Sequence, residues 1–365
     1  MRLLVYLLLL LGPITCWSFT LLDYNASGNG VSDWSTNSAQ VQAIGREVAY
    51  LNPDIITFEE IPNYRTYEMT NFVKVWLPGY YLATNSATDG FIRSVIASRY
   101  PISRSQSWLA KSSLSSFGYN GTFTRDLFEA QVQIPGSTTP LHVFVTHLKC
   151  CSDTTSIQRR AAEARAVSNF FVTVFLPANG QHAYTLSGDL NEDIDEPPSG
   201  SGQPIQTLTS SATGLHLTTP LNPYTNDKLT WSIRSPPLTI RFDYILPCGL
   251  LFSNIVSSQS FRTDLLPNPP PPLQGSDSAT ASDHLPVFMS FNYPDPPVRI
   301  VPTLDTQGLR LNWPSLLGRR FTVESSSGLA DWTTVISNLP ATTTNCGLTL
   351  GTTNGQRFFR VIRLP

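Results

Sequence analysis

Leu186-Ser187-Gly188-Asp189-Leu190-Asn191 combines a strand with a possible reaction centre. Tyr184 to Ser187 reads as a short buried strand, and it runs straight into Gly-Asp-x-Asn. Extended backbone alternates its side chains with period two, so Asp189 and Asn191 fall on the same side. An Asp there can bind a metal ion or act on water. An Asn can donate to a phosphate oxygen without adding repulsive charge. Taken alone the stretch is also an ordinary turn, since Gly, Asp and Asn all favour turns.

Its neighbours in the sequence repeat the theme of an apolar strand ending in chemistry. Val143-Phe144-Val145-Thr146-His147 ends in a histidine. Asp54-Ile55-Ile56-Thr57-Phe58 runs into Glu59-Glu60, and Phe19 to Tyr24 runs into Asn25. In Arg241-Phe242-Asp243-Tyr244-Ile245-Leu246, alternation puts Arg241 and Asp243 on one face. A buried Asp there needs a partner, and a histidine is a natural one. Ser282-Asp283-His284-Leu285-Pro286 offers a metal ligand and an acid/base group side by side.

The remaining elements suit two packed sheets. Gln40 to Leu51 has helical spacing and stops at Asn52-Pro53, while Ile157 to Leu176 is a longer helix free of Gly and Pro. Ser94 to Ser98, Leu127 to Ile134 and Leu141 to Thr146 are further strands. The expected class is α/β (α+β), with helices outside two sheets packed face to face. Pro294-Asp295-Pro296-Pro297 opens a stiff linker over 294–303. Beyond it, at 304–365, Leu309 to Trp313, Arg320 to Val323, Trp332 to Ile336 and Phe358 to Ile362 imply a small all-β accessory domain.

Of 365 residues, 41% are hydrophobic and 14% charged, enough apolar surface for a large core. The net charge of -2 argues against a protein that coats nucleic acid by bulk charge. It leaves room for an enzyme that holds one or two phosphates. Met1-Arg2 followed by the apolar run Leu3 to Ile14 reads as a signal peptide over 1–18, cut after Ser18, and hence as a secreted protein. The run is too short to span a membrane comfortably. The mature chain, 19–365, then holds Cys150, Cys151, Cys248 and Cys346, for which export permits disulfides of undetermined pairing. If Cys150 and Cys151 lie on a strand they point opposite ways.

Together, the order and type of these residues resemble the endonuclease/exonuclease/phosphatase superfamily, the metal-dependent phosphoesterases that include deoxyribonuclease I. The resemblance covers Phe19 to Tyr293, most specifically Ser187 to Asn191, Arg241 to Leu246 and Ser282 to Pro286. It implies a four-layer α/β/β/α sandwich. It also implies that Glu60 holds a catalytic Mg²⁺ or Mn²⁺, helped by Asn25 and Asp283. Asp189 would then orient or deprotonate the attacking water. Asn191 and His147 would contact the phosphate, and His284 would act as acid/base with Asp243 orienting it. Arg125 falls near a position that often contacts phosphate. Glu59 stands where the family has Gln and is expected to add a negative charge beside the metal. The Glu that supports the first His in some members has no evident equivalent; Asp89 is a poor match.

The function implied is hydrolysis of phosphodiester bonds by a nuclease acting on DNA or RNA. The alternatives are a sphingomyelinase-like or small-molecule phosphoesterase, and a non-catalytic binding module. The expected partners are the phosphodiester substrate alone, with a monomeric chain and no stable membrane insertion.

Overall fold

β1 (Trp17–Asn25) pairs in parallel with β2 (Ile55–Pro62), Leu22 opposite Ile56 and Asn25 opposite Glu59. Alternation assigns the two faces. Leu22, Tyr24, Ile56 and Phe58 join Val41, Ile44, Met69 and Phe72 in one buried cluster, so this face packs on helices. Asp23, Asn25, Thr57 and Glu59 take the other face and are also buried. A second sheet is what buries them, because Thr57 Oγ1 on β2 lies 2.8 Å from Ser187 Oγ at the centre of β8 (Tyr184–Asp189).

In this computed structural model the described residues are 17–365 except 136, 138, 181, 196–202, 294–297, 307, 316–318, 344, 352–356 and 365. The expected signal peptide therefore lies outside them apart from Trp17 and Ser18, which open β1; the first four residues of the expected linker lie outside them too. The larger of two compact units comprises Ser18–Gln133 and Pro140–Asn292. One of its sheets adds β3 (Tyr81–Thr84), β4 (Ile92–Ser98), β10 (Ile255–Ser260) and β11 (Val287–Tyr293), in the order β10-β11-β1-β2-β4-β3. The other contains β5 (Ile102–Trp108), β6 (Leu127–Val132), β7 (Leu141–Thr146), β8 and β9 (Asp243–Pro247), in sequence order.

Helices cover the outer faces. α1 (Ala39–Leu51) starts where Ser38 accepts from Val41 N and ends at Asn52 in the left-handed region, where its sequence signalled a stop. α2 (Glu68–Trp76) packs so closely on it that a Cβ at Gly45 would sit 2.2 Å from the Trp76 ring. On the far side, α3 (Thr154–Phe170) brings Phe170 against Trp108 and Phe144, with ring centroids 5.0 and 6.1 Å apart. The helix expected over 157–176 instead widens to a π turn at Phe171–Phe175. The order helix, sheet, sheet, helix is the four-layer sandwich.

The smaller unit contains only strands among its described residues after Tyr293. β12 (Val301–Asp305), β13 (Gly308–Pro314) and β16 (Asn345–Leu350) form one sheet; β14 (Arg320–Ser326), β15 (Thr333–Pro340) and β17 (Phe358–Arg363) form another. Leu311, Trp313, Phe321 and Val323 are its fully buried centre. β12 begins at Val301, inside the segment expected as linker.

Candidate active site

The site forms where strands of both sheets end together. Asn25 closes β1, Asp189 closes β8, His147 follows β7, and Asp243 opens β9 directly opposite Asp189 in an antiparallel ladder. Two backbone features fix the aim of the side chains. In β2 the register against β4 slips between Phe58 and Ile61, and Glu60 has φ 55°, so one extra residue is bulged out. The bulge leaves Glu59 buried between the sheets and turns Glu60 into the cleft. Gly188, with φ +135°, lets β8 approach β7 so closely that a Cβ would lie 2.0 Å from Thr146 O.

One carboxylate oxygen is the hub. Asp189 Oδ2 accepts from Asn25 Nδ2 at 2.9 Å and lies 3.5 Å from His147 Nε2 and 3.7 Å from His284 Nε2. Asp189 Oδ1 accepts from Asn191 N at 2.8 Å, with Asn191 in the left-handed region. Behind His284, Nδ1 faces both oxygens of the fully buried Asp243, at 2.9 and 3.1 Å. Asp283 accepts from Trp231 Nε1 at 3.2 Å. Glu60, Asn191, Trp231, Asp283 and His284 line one cleft.

Burial sets the electrostatics. It raises Asp189 to about 7, with Asp243 and Glu60 adding to the rise and His284 opposing it. At His284 burial disfavours the charge, but Asp243, Asp189 and Asp283 outweigh it and lift the imidazole to about 10. His147 goes the other way: burial, Arg125 and His284 hold it well below the usual range. Near neutral pH the site thus pairs a cationic His284 with a neutral His147 around a carboxyl poised to exchange a proton. At Asp283 burial is outweighed by His284, Ser27 and Trp231, and its pKa is lowered.

The residues fit a hard divalent cation. Ligand atoms of Glu60, His147 and Asp189 lie within 4.8 Å of one another, as do those of Asp189, Asp243 and His284. Carboxylate oxygens gathered in a desolvated cleft are the donors Mg²⁺ and Mn²⁺ prefer. Asp283 lines the same cleft but belongs to neither triad among the described residues.

Asn25, expected to help hold the metal, lies at the carboxylates: its Oδ1 accepts from Ser27 N while Nδ2 faces Asp189 and Glu60. Arg125 was assigned to phosphate. Its guanidinium donates to His147 O and Leu148 O and pairs with Asp89 at 3.0 Å, which props the His147 backbone. Asp89 engages Arg125, in keeping with its poor match to a supporter of His147, and among the described residues His147 Nδ1 has no hydrogen-bond partner. At Glu59, burial, then Asp23 and Asp243, push the pKa well above the usual carboxylate range, which opposes the negative charge expected there. Arg241 does not share a face with Asp243, since its guanidinium stacks on Tyr244, 4.0 Å from the ring centroid. Sequence reasoning missed Asp23 and Trp231. Asp23 was signalled by an acid inside an apolar strand; Trp231 carried no signal.

The sequence profile of the endonuclease/exonuclease/phosphatase family matches residues 24–284, a span that includes Asn25, Glu60, His147, Asp189, Asn191, Asp243, Asp283 and His284. No curated protein matches the chain in sequence. Among solved structures, an endonuclease/exonuclease/phosphatase from Beutenbergia cavernae DSM 12333 is 14% identical, with 95% of this chain and 92% of that one covered at a TM-score of 0.54. A family protein from Bacteroides thetaiotaomicron is 18% identical over 76% and 99%, TM-score 0.55. D. rerio TDP2 complexed with single-strand DNA product is 17% identical over 76% and 99%, TM-score 0.52. At such identities these likenesses bear on the fold, and the profile match bears on membership: the chain belongs to the endonuclease/exonuclease/phosphatase family of phosphoesterase hydrolases.

Proposed function

We propose that the protein is an exported nuclease that cleaves phosphodiester bonds with a divalent cation, Mg²⁺ or Mn²⁺. The observation that carries this is the Asp189 hub. A buried carboxyl near pKa 7 touches Asn25 and lies beside both site histidines and Glu60. A general base works best when its pKa lies near the working pH. Asp189 takes the proton from water as its oxygen bonds to phosphorus and the bond to the leaving oxygen breaks. His284, cationic and clamped by Asp243, donates to the phosphate. His147 and Asn191 add neutral donors that do not repel the anion. Glu60 would hold the cation, helped by Asn25 and Asp283, and the cation would supply charge neutralisation on the phosphate. Support for a nucleic-acid substrate comes from the fold shared with D. rerio TDP2, solved with single-strand DNA product. Support for export comes from the apolar run Leu3 to Ile14 after Arg2.

The test is a substrate panel in Mg²⁺: plasmid DNA, single-stranded DNA, RNA, sphingomyelin and bis-p-nitrophenyl phosphate, with wild type and Asp189→Ala. Wild type is expected to cleave nucleic acid, and Asp189→Ala to be slower by on the order of 10²–10⁴. Turnover of the lipid or the small diester alone would replace the substrate assignment. No turnover of any member would overturn the enzymatic reading.

A further inference from the structure

The loop after His147 carries two adjacent cysteines whose side chains converge. Cys150 and Cys151 lie between β7 and α3, outside any strand, so they do not point opposite ways. Their sulfurs are 2.7 Å apart, closer than two non-bonded sulfur atoms ordinarily approach, and both cysteines are free. The backbone is shaped for this meeting. Adjacent Cα atoms are about 3.8 Å apart, under the roughly 4.4 Å lower end for ordinary disulfides, so bridging neighbours needs an unusual local conformation. Cys151 supplies one, with φ 84°, a left-handed conformation that non-glycine residues seldom adopt.

The loop is also held from beneath. Arg160 on α3 donates to Lys149 O and Cys151 O, both at 2.9 Å, and pairs with Glu192, the neighbour of Asn191. Lys149 Nζ lies 3.6 Å from Cys150 Sγ, which places a positive charge against that sulfur. Cys151 is exposed, and both cysteines line the cleft that contains Asn191, Asp283 and His284. Cys248, by contrast, is buried.

We propose that Cys150 and Cys151 form a vicinal dithiol site in the wall of the cleft, which closes to a Cys150–Cys151 disulfide by exchange with a small-molecule disulfide. Cys150 Sγ attacks one sulfur of R–S–S–R and releases R–SH. Cys151 Sγ then displaces the second R–S group, and the two thiol protons leave on the two R–SH molecules formed. Exposed disulfides are the labile ones, so a small thiol in excess reopens this one. The inference concerns covalent chemistry and does not depend on the proposed substrate.

The full chain is treated with oxidised glutathione, alkylated, digested with trypsin and weighed, with a reduced sample alongside. The peptide Cys150–Arg159 is expected to be lighter by two hydrogens and free of alkyl groups, and to return to its doubly alkylated form after excess glutathione. Cys150→Ser and Cys151→Ser, tested separately, should each retain one glutathione on the remaining cysteine. The proposal is overturned if the oxidised wild-type peptide carries two alkyl groups, keeps glutathione, or is joined to the peptide of Cys248 or Cys346.

Discussion

His284 shows how single residues set the chemistry. Burial alone would strip its charge, and only the carboxylates around it, Asp243 first, keep it protonated to about 10. Asp243→Asn keeps the shape and removes that charge, so the His284 pKa should fall. Followed by NMR, the wild-type ring stays charged at pH 8, whereas the Asn variant titrates at clearly lower pH. An unchanged midpoint would mean that Asp243 is not its main partner. That a buried Asp243 calls for a histidine was legible in its own strand, but which histidine came only through the family resemblance, since 41 residues separate the two. Asn25 and Arg125 were legible as residues, and their contacts were not. Their types and places could be read, but which end of an amide faces a carboxylate, and which carbonyls engage a guanidinium, depend on loops that fold around them.

At the scale of elements, the bulge in β2 and the contact at Gly188 place the carboxylates. Gly188→Ala adds a methyl group that overlaps Thr146 O, at a position with φ +135°. It should cost about 3 kcal/mol or more and displace Asp189. Urea unfolding and the rate should therefore fall together; wild-type stability would contradict the close approach of β7 and β8. A second junction ties β1 to α1 and to α4 (Asp277–Ala281): Glu47 accepts from Tyr24 Oη at 2.5 Å and from Ser278 Oγ at 2.6 Å. Burial raises Glu47 from 4.5 to about 7. Because the folded state holds the proton more tightly, this stability is full below about 4.5 and is lost as pH rises through about 7, on the order of 3 kcal/mol in all. Glu47→Gln has no proton to lose. The stability of wild type minus that of the variant should thus be larger at pH 5 than at pH 8, and an equal difference would refute the raised pKa.

Three of the strands that the sequence hid have a common cause. β3, β5 and β10 are all sheet edges, and most of their side chains are partly or wholly exposed. Without a buried face they lack apolar alternation, the signal by which β1, β2 and β7 could be read. Glu59 and Glu60 illustrate the same limit. Simple alternation separates them, but the bulge decides which enters the cleft.

For the molecule as a whole, the larger unit alone contains all the site residues, drawn from Asn25 to His284. Among its described residues no helix is long and apolar enough to cross a membrane. The four-layer order was legible because buried strands dominate both sheets. The convergence of their ends was not, because it arises from two sheets meeting. That convergence gathers acids that repel one another, and a cation is the group that relieves them. A cation that binds only the folded state also stabilises it, so the Tm should rise with Mg²⁺ in wild type and rise less in Glu60→Gln. Equal shifts in the two proteins would place the ion elsewhere.

The most direct test is the initial rate of DNA cleavage by the full chain stripped with EDTA, then given graded Mg²⁺ or Mn²⁺, with Asp189→Ala in parallel. The account predicts no cleavage in EDTA, recovery by wild type as the cation is restored, and no comparable recovery by Asp189→Ala at any concentration. Full cleavage in EDTA, or wild-type rates from the Ala variant, would contradict it.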